Sequence, residues 1–207
     1  ETFKALTGNL PFPWQCALYD RFVEDRPDNI PACCNLPTGL GKTSVVAVWL
    51  IALANFPERI PRRLAYVVNR RTVVDQTTEE VRNYRAHIQT DPALKDLKGI
   101  LTGLCAIDLG ADNHPLALST LRGQFADNRE WSADPSRPAV ICGTVDMIGS
   151  RLLFSGYGVG FRSRPLHAGF LAQDCLLVHD EAHLEPAFQS LLTSIEVEQV
   201  RCNEFRR

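Results

Sequence analysis

Neither charge sign dominates this chain: 22 Lys and Arg face 24 Asp and Glu across 207 residues, leaving a net charge of −2. That balance singles out no strongly charged partner, although a local basic groove can still sit on a mildly acidic domain. Long apolar runs are also missing. The longest, VVAVWLIALA over 45–54, is about half the roughly 20 residues that a bilayer-crossing helix requires. The first ten residues, ETFKALTGNL, lack the basic-then-apolar order of a secretory signal. Seven cysteines occur without a C-x-x-C pair. Cys33, Cys34, Cys142 and Cys175 lie in or beside apolar runs, so the expectation is buried, reduced thiols in a cytoplasmic protein rather than disulfides or zinc ligands. No segment repeats internally.

What remains is an ordinary globular composition, 45% hydrophobic and 22% charged, long enough for one sizeable domain. Apolar runs with strand character alternate with helical or polar segments. ACCNLP (32–37) leads through a glycine turn into a helix expected over 43–55, stopped by Pro57. LAYVV (64–68) leads into a second helix, where Thr72 and Asp75 have capping-box spacing and Val74, Thr77 or Thr78, Val81 and Tyr84 share a face. PAVICGT (138–144) and CLLV (175–178) supply two further strands. The stretch 103–137 is rich in Gly, Asp, Asn and Pro and is expected to hold a surface helix or two and a long loop. Strands alternating with helices predict an α/β fold with a mostly parallel sheet covered on both faces.

Two stretches carry chemistry. LPTGLGKT (36–43) stands between a predicted strand and a predicted helix, the setting a phosphate cradle needs. Gly39 and Gly41 let the backbone curl so that successive N–H groups face phosphate oxygens, and the helix adds its positive end. Thr38 and Leu40 complete the loop. Lys42 can reach the terminal phosphates, and the Thr43 hydroxyl suits magnesium. Leu36 replaces the first glycine of the general P-loop, which fits the helicase form of the loop better than the kinase form.

The second stretch, LLVHDEAH (176–183), allows three readings. As a zinc site it has its glutamate displaced by one from H-E-x-x-H, and His179 lies at a strand end, where positions i and i+4 do not converge. As a metal phosphohydrolase it lacks supporting context around His87, His114 and His167. As the acidic strand end of a P-loop ATPase it supplies what that site needs: Asp180 for magnesium and Glu181 to polarise the attacking water.

PTGLGKT and DEAH together resemble the first RecA-like domain of a superfamily 2 DEAH-type helicase. YVVNRRTVVDQT (66–77), LRG (121–123) and GTVDMIGSRLLFSGYG (143–158) narrow the resemblance to the helicase of type I CRISPR interference, from about residue 10 to about residue 190. The resemblance implies a RecA-like P-loop NTPase domain occupying 1–207, using ATP and Mg2+. It places Gln15 of FPWQ (12–15) at the adenine edge. Asn69, Arg70, Arg122, Gly123 and Thr144 would hold the backbone of single-stranded DNA, and His183 would couple the nucleotide site to a second RecA-like domain. Neither an S-A-T motif nor an HD nuclease set occurs in the sequence. The expected partners, a second motor domain, an HD nuclease and a CRISPR surveillance complex, therefore lie outside these residues. A DEAH-type DNA or RNA helicase outside CRISPR stays open, as does a non-catalytic docking module on the same scaffold.

Overall fold

The computed structural model describes residues 1–24, 30–37, 39–108, 110, 114–122 and 130–202. Two short helices open the chain, α1 (Thr2–Thr7) and α2 (Pro13–Val23). Pro13 starts α2 where its missing N–H costs nothing, and the Gln15 side chain turns back to accept the Phe12 N–H at 2.7 Å. A 3-10 turn, Lys42–Ser44, feeds α3 (Val45–Asn55). That helix is apolar on nearly every side and is correspondingly buried, with Trp49 fully enclosed and donating its indole N–H to the Pro61 carbonyl at 2.8 Å.

Next come β1 (Arg63–Val68), α4 (Arg71–Thr90) and α5 (Lys95–Gly103). They are followed by β2 (Ala117–Leu121), α6 (Glu130–Ala133), β3 (Ala139–Thr144) and α7 (Val145–Leu152). The described part closes with α8 (Arg164–Ala172), β4 (Cys175–His179) and α9 (Pro186–Arg201). The four strands form one sheet in the order β2-β3-β1-β4, and every pairing is parallel.

The alternation of a strand sorts its side chains between two cores. Leu64, Tyr66, Val68, Leu118, Val140 and Cys142 join α1 to α5 on one face. Ala65, Val67, Ala117, Ile141 and Leu121 join α6 to α9 on the other. Burial on both faces explains why β1 and β3 read as unbroken apolar runs. Arg63 is a buried exception at the start of β1. Its guanidinium donates to the carbonyls of Phe170, Pro135 and Gln173 at 2.8–3.0 Å, tying the strand to the end of α8.

Three expectations are corrected. Residues 32–37 form no strand and are largely exposed, Cys33 and Cys34 included. Among the described residues this segment has no ladder partner, and a strand without one gains no cooperative hydrogen bonding. The stretch 103–137 holds a sheet strand, β2, instead of only surface helix and loop. Thr72 does not cap α4: Arg70 occupies the cap position, and Asp75 pairs with Arg122. The face of α4 is as expected, with Val74, Thr77, Thr78, Val81 and Tyr84 buried. No helix among the described residues is long and apolar enough to cross a membrane.

Candidate nucleotide site and nucleic-acid face

In a parallel sheet all carboxyl ends lie along one edge, which is where open α/β sheets bind ligands. Arg122 directly follows β2, Thr144 ends β3, Asn69 and Arg70 follow β1, and Asp180 and Glu181 follow β4. The register aligns them: Leu121 pairs with Gly143, Val68 with Thr144, and Val67 with His179. Read in strand order, the edge carries Arg122, Thr144, Asn69 with Arg70, then Asp180 with Glu181. Three strand spacings separate its ends, about 14 Å.

The phosphate-loop candidates lie next to the acidic end of this row. Gly39 (φ 84°) and Gly41 (φ 64°) both adopt the left-handed region, which lets consecutive N–H groups point the same way. A Cβ on Gly39 would meet nothing within 4 Å, so its backbone dihedral, not space, demands glycine. Trp14 donates its indole N–H to the Leu40 carbonyl at 3.0 Å, and the Gln15 amide donates to the Ser44 hydroxyl. Gln15 is 3% exposed, so it welds α2 to the loop, and reaching a base edge would require exchanging bonds it already makes. Lys42 and Thr43 are half-buried at the start of the 3-10 turn. Thr38 falls outside the described residues.

Tyr66, which the sequence presented only as strand filler, links this loop to the acidic strand end. Its hydroxyl donates to Asp180 Oδ2 at 2.9 Å. Burial and the Asp180 charge push the phenol well above its ordinary range, while a hydrogen bond from Thr43 acts the other way. Asp180 is held on both oxygens, since Oδ1 accepts the Glu181 N–H at 2.9 Å. Its own N–H continues the ladder to the Val67 carbonyl at 3.0 Å. The hydroxyl of Thr43 and the carboxylate of Asp180 form a hard, all-oxygen set on either side of one phenol, which fits Mg2+.

Glu181 adopts φ 52°, left-handed for a residue with a Cβ, and points into solvent. Strain of this kind is held at working sites when the surroundings enforce it. His183 is exposed in the following 3-10 turn, Ala182–Leu184. His179 packs edge-on against Phe188 with ring centroids 5.0 Å apart, and burial lowers its pKa.

The other candidates differ in their freedom. Asn69 is half-buried, and its Oδ1 has no hydrogen-bond partner among the described residues. Arg70 is exposed, and Thr144 is buried as the cap residue of α7. Arg122 is bound to Asp75, in an open groove of about 550 Å³ that Thr78, Glu79, Arg82 and Thr120 also line. Gly123 falls outside the described residues.

A parallel sheet with a glycine phosphate loop feeding a helix and a carboxylate at a neighbouring strand end defines a RecA-like nucleotide-binding domain. A sequence model of the family described as type III restriction enzyme, res subunit, matches residues 10–196, and the chain belongs to that family. It is a superfamily 2 helicase-like, ATP-binding domain. Comparison with curated proteins and with solved structures returned no match.

Proposed function

We propose that this domain is the ATP-binding half of a DNA helicase or translocase, which couples ATP hydrolysis to movement along a single strand. The observation that carries the reading is the shared sheet edge, where the Thr43–Tyr66–Asp180 cluster adjoins the row Asn69, Arg70, Thr144 and Arg122. Gly39 to Thr43 cradle the phosphates, and Lys42 neutralises the terminal ones. Thr43 and Asp180 hold Mg2+, which when bound screens the phosphate charge. Glu181 orients the attacking water. Arg70 and Arg122 pair with strand phosphates, while Thr144 and Asn69 add neutral polar contacts.

The segments at 66–77, 121–123 and 143–158 support type I CRISPR interference as the setting, with a surveillance complex as recruiter. Arginine fingers from a second RecA-like domain complete the site. Without them the isolated domain binds ATP but turns it over slowly, because such fingers contribute roughly 10³–10⁵ in rate.

Titrating the chain with ATP and Mg2+ tests the nucleotide site, and Lys42→Ala should abolish binding. With a second RecA-like domain present, single-stranded DNA should stimulate ATPase more than RNA does, and Glu181→Ala should remove turnover while sparing binding. ATPase indifferent to every nucleic acid would overturn the motor reading, and absence of ATP binding would leave only a docking scaffold.

A further inference from the structure

Downstream of Thr144 the surface changes character. Between Asp146 and Asp174 the sequence has no acidic residue, and of its three arginines Arg162 is exposed and Arg164 half-buried while Arg151 is buried, in a protein whose net charge is −2. The same stretch exposes four large apolar side chains in nine positions: Leu153 (58%), Phe154 (56%), Tyr157 (56%) and Phe161 (83%). None of them belongs to either core cluster. Large apolar side chains exposed this close together along the chain point to a surface with a partner.

The segment is shaped. α7 ends with the Ser155 N–H on the Ser150 carbonyl at 2.8 Å, and Phe154 sits in the left-handed position (φ 58°) that glycine usually fills. A phenylalanine there is strained and solvated at once, so neither backbone preference nor packing accounts for it. The turn beyond it folds back on α7, because a Cβ on Gly156 would lie 2.8 Å from Arg151 Cγ. Further along, the Arg164 guanidinium lies 5.8 Å from the Phe161 ring centroid. Neither Arg162 nor Arg164 makes an ion pair among the described residues.

We propose that Phe154, Tyr157 and Phe161, with Arg162 and Arg164, form a stacking platform for the bases of a single nucleic-acid strand. Charge selects the occupant, since exposed rings among unpaired arginines without acids suit a polyanion that carries flat bases. Position agrees. α7 begins at Val145, next to Thr144 in the strand-end row, and delivers Leu153 eight residues later, about 12 Å away or roughly three to four nucleotide spacings along one strand. The inference rests on the nucleic-acid reading of that row and extends it to a surface that reads bases, where the row reads only phosphates.

The test measures anisotropy of a fluorescent 20-mer of thymidine, and of an abasic strand of equal length, on the full chain and its variants. Phe161→Ala removes a ring that is 83% exposed, and Phe154→Gly installs the residue that the left-handed position favours. Both variants should melt at or above the wild-type temperature. Wild type should prefer thymidine to abasic DNA. Each variant should bind thymidine about 5- to 10-fold more weakly, the low end for one stacked base, with abasic binding unchanged. Arg162→Ala should reduce the salt slope of both by about one. If Arg122→Ala weakens binding while the ring variants match wild type on both strands, the platform is refuted alone, and the patch belongs to a protein partner. Binding of neither strand by wild type overturns the platform and the underlying reading together.

Discussion

Replacing Tyr66 with phenylalanine removes one oxygen from the junction of phosphate loop and acidic strand and leaves the ring. The ring is 1% exposed and packed in the core shared with α3 and α4, so no cavity larger than a hydroxyl results. The loss is the donor to Asp180 Oδ2 at 2.9 Å and the acceptor for Thr43. Hydrogen bonds to charged groups contribute about 1.5–3 kcal/mol. Asp180 is only half-buried, so water can replace the donor, and the lower end applies: about 1.5 kcal/mol, or roughly 12-fold. The phenol orients Thr43 and Asp180 without touching the phosphates. The loss should therefore fall on Mg2+-dependent affinity, with nucleotide binding in EDTA unchanged. Calorimetric titration of wild type and Tyr66→Phe with and without Mg2+ separates the two. Equal losses in both conditions, or none in either, would refute the claim that Tyr66 positions the proposed Mg2+ ligands Thr43 and Asp180.

Asp75→Asn should free Arg122 and tighten single-stranded DNA binding by up to about fivefold. An exposed ion pair is worth about 0.2–1 kcal/mol, and the pair opposes phosphate contact. Weaker binding would instead make Asp75 a support for Arg122. Burial, and then the charge of Arg85, hold the His114 imidazole down to about 4 in the folded chain, against about 6.5 when unfolded. A depressed folded pKa contributes stability that is complete above pH 6.5 and lost as pH falls towards 4. The melting temperature should drop across that window, and less so in His114→Gln. Gly143→Ala in β3 would place a Cβ 3.0 Å from Ile148 and 3.3 Å from the Leu121 Cβ, inside a closed core. Overpacking should cost about 1–3 kcal/mol in urea unfolding, and an unchanged midpoint would mean the core yields freely.

β1, β3 and β4 were legible because their apolar runs are bounded by polar segments, and α4 because its buried residues recur with helical period. β2 was not. Its five residues, ALSTL, include Ser119 and Thr120 and sit in a polar, Gly- and Asp-rich neighbourhood. They become strand by pairing with β3, a contact no local pattern records. The converse holds at 32–37, where apolar residues follow the strand pattern but find no neighbour on the described sheet.

The sequence alone pointed to the candidates whose chemistry depends on short spacing. Gly39 and Gly41 stood out as phosphate-loop candidates with Lys42 and Thr43 next to them, and both glycines do adopt the left-handed region that glycine enters without strain. Asp180 and Glu181 stood out as candidates because a strand end carries its next residues to the sheet edge, and they do follow β4. The tertiary structure alone decided which groups meet across the sheet: Tyr66 with Asp180, Arg122 with Asp75, Gln15 with Ser44. Each of these contacts depends on strand register and helix docking between residues far apart in the chain. Register is set by the sum of many side chains burying together, so no short pattern carries it.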